Sequence, residues 1–276
     1  MVPPTMTPRF AVRGWSAWAG GLDTPEAWRA WSKAPVLPPA APPVPALAEV
    51  AAMLRRRVPP LGRVALAPVY ACARAIAAQP GADADADAGP VPAVFCSRHG
   101  DTARLVPMLN ELAAGAPLSP TAFGLSVHNA IGAIRSIDLT DRTNLLALSA
   151  GRDTVETAVF ESCSLLAEGA AEVLLAYYEA PLAEPYAPFV DEPEAMYSWC
   201  WRLAVPREGE PHYALAVGDP VRDQPAMATA EQAARPLLPH GLDVLRFMLA
   251  GDAALIHRGE NTMWEWKYQG QPCPST

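Results

Sequence analysis

Charged side chains are scarce in this sequence, and basic ones are the scarcer kind. They make up 18% of the 276 residues, below the ~25% that is usual in globular proteins. Lys and Arg number 21 against 29 Asp and Glu, which gives a net charge of −8. Nucleic-acid phosphates are bound by concentrated basic surfaces, so this composition argues against a nucleic-acid partner.

Cysteine pairs and long apolar runs are also missing. The five cysteines lie far apart and show no Cys-x-x-Cys spacing, which favours neither a zinc site nor a disulfide framework. No apolar run approaches the ~20 residues of a membrane span, and Met1–Arg9 lacks the apolar region of a signal peptide. We therefore expect a cytoplasmic protein with no membrane span, no metal and no cofactor.

Apolar residues and proline are plentiful. Hydrophobic residues form 51% of the chain, enough for a sizeable core. Many of the 31 prolines lie in Val36–Pro45, which is typical of a polyproline-like connector. We expect a single domain over residues 1–276, with flexible segments at 1–9, 80–90 and 270–276.

Hydrophobic periodicity predicts alternating strands and helices. Thr143–Leu148, Asp153–Glu168 and Glu172–Tyr178 predict a strand, a helix and a strand, and such a βαβ unit requires two parallel strands in one sheet. The same patterns predict further helices over 24–31, 64–78, 105–114, about 128–138, 229–234 and 242–250, and strands over 10–18, 91–96, 253–257 and 263–268.

A hairpin is predicted in the C-terminal third. The apolar runs Tyr197–Val205 and His212–Gly218 flank the turn-forming segment Pro206–Pro211, an arrangement that indicates two adjacent antiparallel strands.

One stretch carries a family resemblance. Leu118-Ser-Pro-Thr-Ala-Phe-Gly-Leu-Ser-Val-His-Asn-Ala-Ile-Gly132 resembles the β-ketoacyl synthases, whose members show Pro-x-x-Phe…Ser-x-x-Asn-Ala before their nucleophile strand. The likeness continues through Ser149–Ala158 and Cys163–Leu175 and covers about residues 91–180. Ser126-Val-His-Asn-Ala-Ile131 and Trp264-Glu-Trp266 further resemble short ketosynthase-like proteins of aryl polyene and xanthomonadin-type pigment pathways.

The resemblance implies an α/β, thiolase-like fold. It would consist mainly of the N-terminal half-repeat, a mixed five-stranded sheet with helices on both faces. A reduced C-terminal α/β portion would complete it.

The expected catalytic residues are absent. Active members of the family carry a cysteine at the turn between a strand and a helix, where the helix N-terminus lowers the thiol pKa. Here that turn falls within Ser149–Asp153, and its candidate positions, Ser149, Gly151, Arg152 and Asp153, include no cysteine. Active members also use histidines from a second repeat, whereas His212, His240 and His257 lie in no comparable glycine-rich loop. We expect no catalytic residues.

The resemblance also implies an interface. Its members dimerise by pairing the strand before the turn across a two-fold axis, and side chains near the turn reach the acyl tunnel of the neighbouring subunit. The residues implied are Thr143, Asn144, Leu145, Leu146 and Leu148 for pairing, and Phe123, His128 and Asn129 for gating the tunnel. The run Arg55-Arg56-Arg57 is either a solvated helix end or a contact for an acidic carrier protein.

Three functions stay open at this point. The first is a non-catalytic, chain-length-factor-like partner that forms a heterodimer with an active β-ketoacyl synthase and works with an acyl carrier protein. The second is a thioester-processing acyltransferase, or a ketosynthase active in its own right, that uses Ser149 or another group. The third is a homodimer that binds a carrier protein without any role in chain length.

Overall fold

A computed structural model describes residues 7–78, 91–218 and 237–270. Its centre is an eight-stranded sheet with the order β3-β2-β4-β5-β1-β6-β8-β7. The strands are β1 Arg9–Ala19, β2 Ala93–Cys96, β3 Leu145–Leu148, β4 Val173–Glu179, β5 Tyr197–Ala204, β6 His212–Gly218, β7 Ala254–Arg258 and β8 Met263–Gln269. The α-helices are α1 Pro25–Lys33, α2 Ala52–Arg55, α3 Pro60–Ala77, α4 Thr102–Ala113, α5 Pro120–Gly124, α6 Ala130–Leu139, α7 Thr154–Ala167 and α8 His240–Ala250, with 3₁₀ turns at Gly151–Asp153 and Glu184–Phe189.

The first five strands in this order form the mixed sheet that the sequence predicts. β2 pairs parallel with both β3 and β4, β5 is antiparallel to β4, and β1 is antiparallel to β5. β3, α7 and β4 form the predicted parallel βαβ unit, with β2 between the two strands. Strands β6, β8 and β7 extend the sheet as the reduced C-terminal portion. The α/β prediction is confirmed.

Helices cover both faces of the sheet because side chains alternate along each strand. One face packs against α1, α7 and α8 through residues such as Val94, Leu175 and Trp199. The other packs against α3 and α6 through Phe95, Leu174 and Cys200. Trp199, Trp201 and Trp266 are almost completely buried, and each such ring contributes on the order of 5 kcal/mol of hydrophobic stabilisation.

The predicted hairpin of β5 and β6 is wrong. β1 lies between the two strands, and both are antiparallel to β1, so β6 continues in the direction of β5. Ala204 at the end of β5 is paired with Ala11, and Tyr213 near the start of β6 is paired with Phe10. The connection between them therefore crosses β1 to reach its other side. Turn-forming residues mark where a strand stops, but they do not fix whether the chain then reverses.

Local predictions hold where capping and patterning agree. Thr24 caps α1, since its Oγ1 accepts a hydrogen bond from the Ala27 N–H at 3.2 Å.

The predicted flexible segment 80–90 and the predicted helix 229–234 lie outside the described residues, as do 1–6 and 271–276. Within the segment 1–9, which the sequence predicts to be flexible, Arg9 belongs to β1 and pairs with Ala214 of β6. Within 7–78, 91–218 and 237–270, no helix has the length and apolar character that crossing a bilayer requires.

Candidate functional site

The turn between β3 and α7 is where a nucleophile would lie, and its backbone is held by its own residues. Gly151 adopts the left-handed conformation with φ +56°, which favours glycine. Thr154 Oγ1 accepts from the Ala150 N–H at 2.9 Å and donates to the Gly151 carbonyl at 2.7 Å. These two bonds hold the turn itself, whereas Asp153, the N-cap residue of α7, makes no side-chain capping bond.

No residue of this turn is prepared to act as a nucleophile. Ser149 Oγ donates to the Arg98 carbonyl at 2.7 Å, and no basic side chain of the described residues is bonded to it. Arg152 Nε donates to Asp191 Oδ2 at 2.7 Å. Cys163 lies inside α7, where burial raises its thiol pKa to about 12. Because the thiolate is the reactive form, Cys163 cannot replace the missing cysteine.

The turn between β7 and β8 covers the start of α7. Trp264 Nε1 donates to Asp153 Oδ1 at 2.6 Å. Two glycines make this close approach possible: a Cβ at Gly151 would lie 2.5 Å from Glu260 Oε1, and one at Gly259 would lie 1.5 Å from Asp153 Oδ1. The C-terminal strands thus contact the start of α7, while Ser149 and Arg152 stay exposed.

A buried polar cluster lies directly behind this turn. Glu156 is 0% exposed, and its Oε1 lies 2.6 Å from His240 Nε2 and accepts from Trp266 Nε1 at 2.9 Å. His257 stacks on His240 with ring centroids 3.3 Å apart. Burial opposes the charged form of His240, but the Glu156 carboxylate outweighs it and raises the pKa of His240.

The sequence contains little local indication of this cluster. Glu156, His240 and His257 come from α7, α8 and β7, and only the sheet order brings them together. Glu156 occupies an apolar-stripe position of α7, where a buried carboxylate needs a partner from elsewhere in the fold. A carboxylate in such a stripe was the one available sign.

An ion-pair network supports the other side of the turn. Arg98 pairs with Asp191 at 2.8 Å and with Glu192 at 2.7 Å, and Asp191 also binds Arg152. Asp191 is desolvated, but its bonds with Arg152 and Arg98 lower its pKa overall. Glu179, at the end of β4, accepts from the Arg98 N–H, and burial raises the pKa of Glu179 to about 7.

The strand expected to pair between subunits lies at an edge of the sheet. β3 bonds only to β2 in the described sheet, and Leu145–Leu148 are all half-buried. Thr143 and Asn144 precede the strand. The Ala93 N–H donates to the Asn144 carbonyl at 2.9 Å and the Ser97 N–H to the Leu148 carbonyl at 3.3 Å. Bonding alternates along a parallel ladder, so the N–H groups of Leu145 and Ala147 face the open side.

The predicted gating residues separate into two places. His128 lies 3.0 Å from the Leu148 carbonyl through Nε2 and stacks on Tyr178. It lines a cavity of about 120 Å³, together with Ser126 and Val127. Asn129 is the N-cap residue of α6. Phe123 is not among the residues that line this cavity, and 56% of its surface is exposed.

The basic run ends α2 and begins the next loop. Arg55 donates to the Leu47 carbonyl at 3.4 Å and to the Ala48 carbonyl at 3.2 Å, so it holds the preceding loop. Arg56 and Arg57 are exposed.

Three solved structures share this fold. The ketosynthase ApeO in complex with its chain length factor ApeC, from Xenorhabdus doucetiae, matches 95% of this chain and 99% of its own at 24% identity and a TM-score of 0.74. The ishigamide ketosynthase/chain length factor matches 94% and 98% at 12% identity and a TM-score of 0.66. A β-ketoacyl synthase from Burkholderia phymatum STM815 matches 88% and 71% at 12% identity and a TM-score of 0.58.

The sequence itself places the chain in a family. A search of the curated proteins finds no match. The family described as beta-ketoacyl synthase, N-terminal domain, matches residues 28–267, which includes the β3–α7 turn and the β7–β8 turn that covers it. The chain belongs to the β-ketoacyl synthase N-terminal domain family.

Proposed function

We propose that this chain is a non-catalytic, chain-length-factor-like subunit that forms a heterodimer with an active β-ketoacyl synthase. The partner subunit would supply the nucleophile and the acid–base groups. This chain would supply the other half of the subunit interface and side chains that limit the length of the acyl product.

The observation that carries the proposal is the β3–α7 turn, which has no cysteine and whose polar side chains are bonded within the chain. Condensing enzymes need an activated thiol at that point, whereas this chain has Arg152 paired with Asp191 and Asp153 bonded to Trp264. Ser149 donates its hydroxyl hydrogen to a carbonyl, which supports no acyl transfer through it.

The extent of the structural matches supports the same function. The chain covers 99% and 98% of the matched chains in the two structures that contain a ketosynthase with a chain length factor. It covers 71% of the β-ketoacyl synthase from Burkholderia phymatum. Its extent is therefore close to that of chains found in such pairs.

The open edge of β3 supports the interface. An edge strand with unpaired N–H and carbonyl groups pairs readily with another strand, and Leu145, Leu146 and Leu148 add half-buried apolar surface there. His128 and the cavity of about 120 Å³ lie just beyond the end of β3. We assign gating of the partner's tunnel to His128 and Asn129, and to Phe123 from the exposed end of α5.

The pathway belongs to the same proposal. The proteins that the sequence resembles point to an aryl polyene or xanthomonadin-type pigment, made on an acyl carrier protein in the cytoplasm. An acidic carrier would contact the exposed Arg56 and Arg57, because their guanidinium groups are free of the carbonyl bonds that hold Arg55. The chain acts as one domain in this scheme.

Co-expression tests the pairing. This chain would be produced with the ketosynthase encoded nearest to its own gene, and gel filtration would follow. We expect a 1:1 heterodimer that condenses acyl-carrier thioesters, while the isolated chain stays unlabelled by cerulenin. Separate elution of the two proteins, or labelling of the isolated chain within residues 149–153, would contradict the proposal.

A further inference from the structure

Glu156, His240 and His257 form a group of metal-binding side chains that the proposed function does not use. Each offers one ligand atom, and these atoms lie within 4.8 Å of one another. They come from α7, α8 and β7, so a shared ligand would join three separate elements. Glu156 is completely buried, and His240 and His257 are half-buried.

One oxygen of Glu156 has no hydrogen-bond partner within residues 7–78, 91–218 and 237–270. Oε1 receives both of the described contacts, from His240 Nε2 and Trp266 Nε1, whereas Oε2 is buried and unsatisfied. A buried carboxylate oxygen without a partner is costly. It is also a ligand atom that is shielded from the solvent and not engaged by a hydrogen bond.

His257 is oriented as metal-binding histidines commonly are. Its Nε2 lies 3.0 Å from the Arg152 carbonyl, and because a carbonyl only accepts, Nε2 carries the hydrogen. The lone pair of a neutral His257 is then on Nδ1. Metal-bound imidazoles usually donate their other N–H to a carbonyl or carboxylate, and metal-bound carboxylates are themselves hydrogen-bonded, as Glu156 is by Trp266.

We propose that Glu156, His240 and His257 bind one divalent transition-metal ion of the zinc class. Two imidazoles and one carboxylate suit zinc, cobalt or nickel, whereas calcium and magnesium require mostly oxygen ligands. Water completes a tetrahedral site. The imidazoles are stacked at 3.3 Å and 14° from parallel, so one ring turns about its side-chain bonds to face the ion.

The bound ion would replace the proton between His240 and Glu156, so binding releases a proton. It would also fix the first turns of α7 and α8 against β7, directly behind the covered β3–α7 turn. This inference uses only residues of this chain and does not depend on the proposed function.

Cobalt titration tests the site. The purified chain is stripped with a chelator and titrated with Co²⁺, while visible absorption and tryptophan fluorescence are followed. We expect one equivalent of Co²⁺ to bind, quench the adjacent Trp266, and be displaced by Zn²⁺. Loss of a hydrogen-bond partner of a metal ligand weakens metal binding ~10–100-fold. His257→Gln removes a ligand itself and should therefore weaken Co²⁺ binding by at least about tenfold.

The controls separate a site from general affinity. His212→Gln changes a histidine on β6, outside the cluster, and should leave Co²⁺ affinity unchanged. His257 is half-buried, so its variant is the one to use; Glu156 and His240 variants are interpreted only where circular dichroism shows a native fold. Absence of binding, or equal affinity in His257→Gln and the unmodified chain, would overturn the proposal and leave a buried His240–Glu156 ion pair.

Discussion

The N-terminus of α7 and the edge of β3 are separated by only the five residues Ser149–Asp153 but differ in their contacts. At the α7 end the turn is bonded to other elements: Asp153 binds Trp264, Arg152 binds Asp191, and Gly151 lies against Glu260. The β3 edge is open, with half-buried leucines and outward-facing N–H groups. The contrast is between a turn whose polar side chains are bonded within the chain and an edge strand whose outward N–H groups are unpaired among the described residues.

The largest expected effect is on the open edge. Ala147→Pro removes an N–H that faces away from β2, so the internal ladder keeps its bonds while pairing with another strand is blocked. We expect affinity for the ketosynthase partner to fall about 100-fold, which corresponds to about 3 kcal/mol. Surface plasmon resonance measures the change.

Ala147→Ser is the matched control, because it keeps the N–H group. Its affinity should stay close to that of the unmodified chain. Equal affinities for the proline and serine variants would show that β3 does not pair with the partner.

Glu179, at the end of β4, is a buried carboxyl group that makes the stability of the fold depend on pH. Burial raises the pKa of Glu179 to about 7, above its value of ~4.3 in an unfolded chain. The native state therefore holds an extra proton between these values, and this contribution to stability is present below about pH 4 and lost as pH rises through 7. Glu179→Gln should remove that dependence, a relative change on the order of 3 kcal/mol at pH 8.

Urea unfolding of both proteins from pH 5 to pH 8 measures the effect. Glu184→Gln in the second 3₁₀ turn is the control, and it should keep the pH dependence of the unmodified chain. Parallel pH curves for Glu179→Gln and the unmodified chain would contradict the buried, protonated carboxyl.

A hydrogen bond to a carboxylate helps to hold the C-terminal strands against the start of α7. Trp264→Phe removes the Nε1 donor to Asp153 and should lower the free energy of unfolding by about 2 kcal/mol, since hydrogen bonds to charged groups contribute ~1.5–3. Asp153→Asn keeps an acceptor and should cost less. Thermal unfolding of the two variants measures the difference, and the reverse order of losses would contradict this account of the cover.

The smallest expected effect on partner binding is a difference between two exposed apolar residues of α6, Leu139 and Ile137. Leu139 lies two turns from Gly132, which packs against Leu145 of β3, so the two share one helix face. Ile137 points to another side, and the two residues are 49% and 64% exposed. Leu139→Lys should weaken partner binding about tenfold, and Ile137→Lys should leave it nearly unchanged. Equal effects in the same binding assay would place the interface elsewhere.

The sequence predicted those parts of the molecule that follow from local chemistry. β3, α7 and β4 were predicted from their apolar patterns, and the missing cysteine was visible in Ser149–Asp153. The direction of β6 was not predictable, because proline and glycine end a strand without fixing its next partner. The cluster of Glu156, His240 and His257 depends on contacts across about a hundred residues, as between Glu156 and Trp266.

The most direct test of the central claim is intact-mass spectrometry of the co-purified pair after incubation with an acyl-carrier thioester. Because the β3–α7 turn has no cysteine and its polar side chains are bonded within the chain, we expect the mass of the acyl group to be added to the ketosynthase subunit alone. We also expect Ser149→Ala to leave this acylation unchanged. An acyl mass on this chain, lost in Ser149→Ala, would contradict a non-catalytic role.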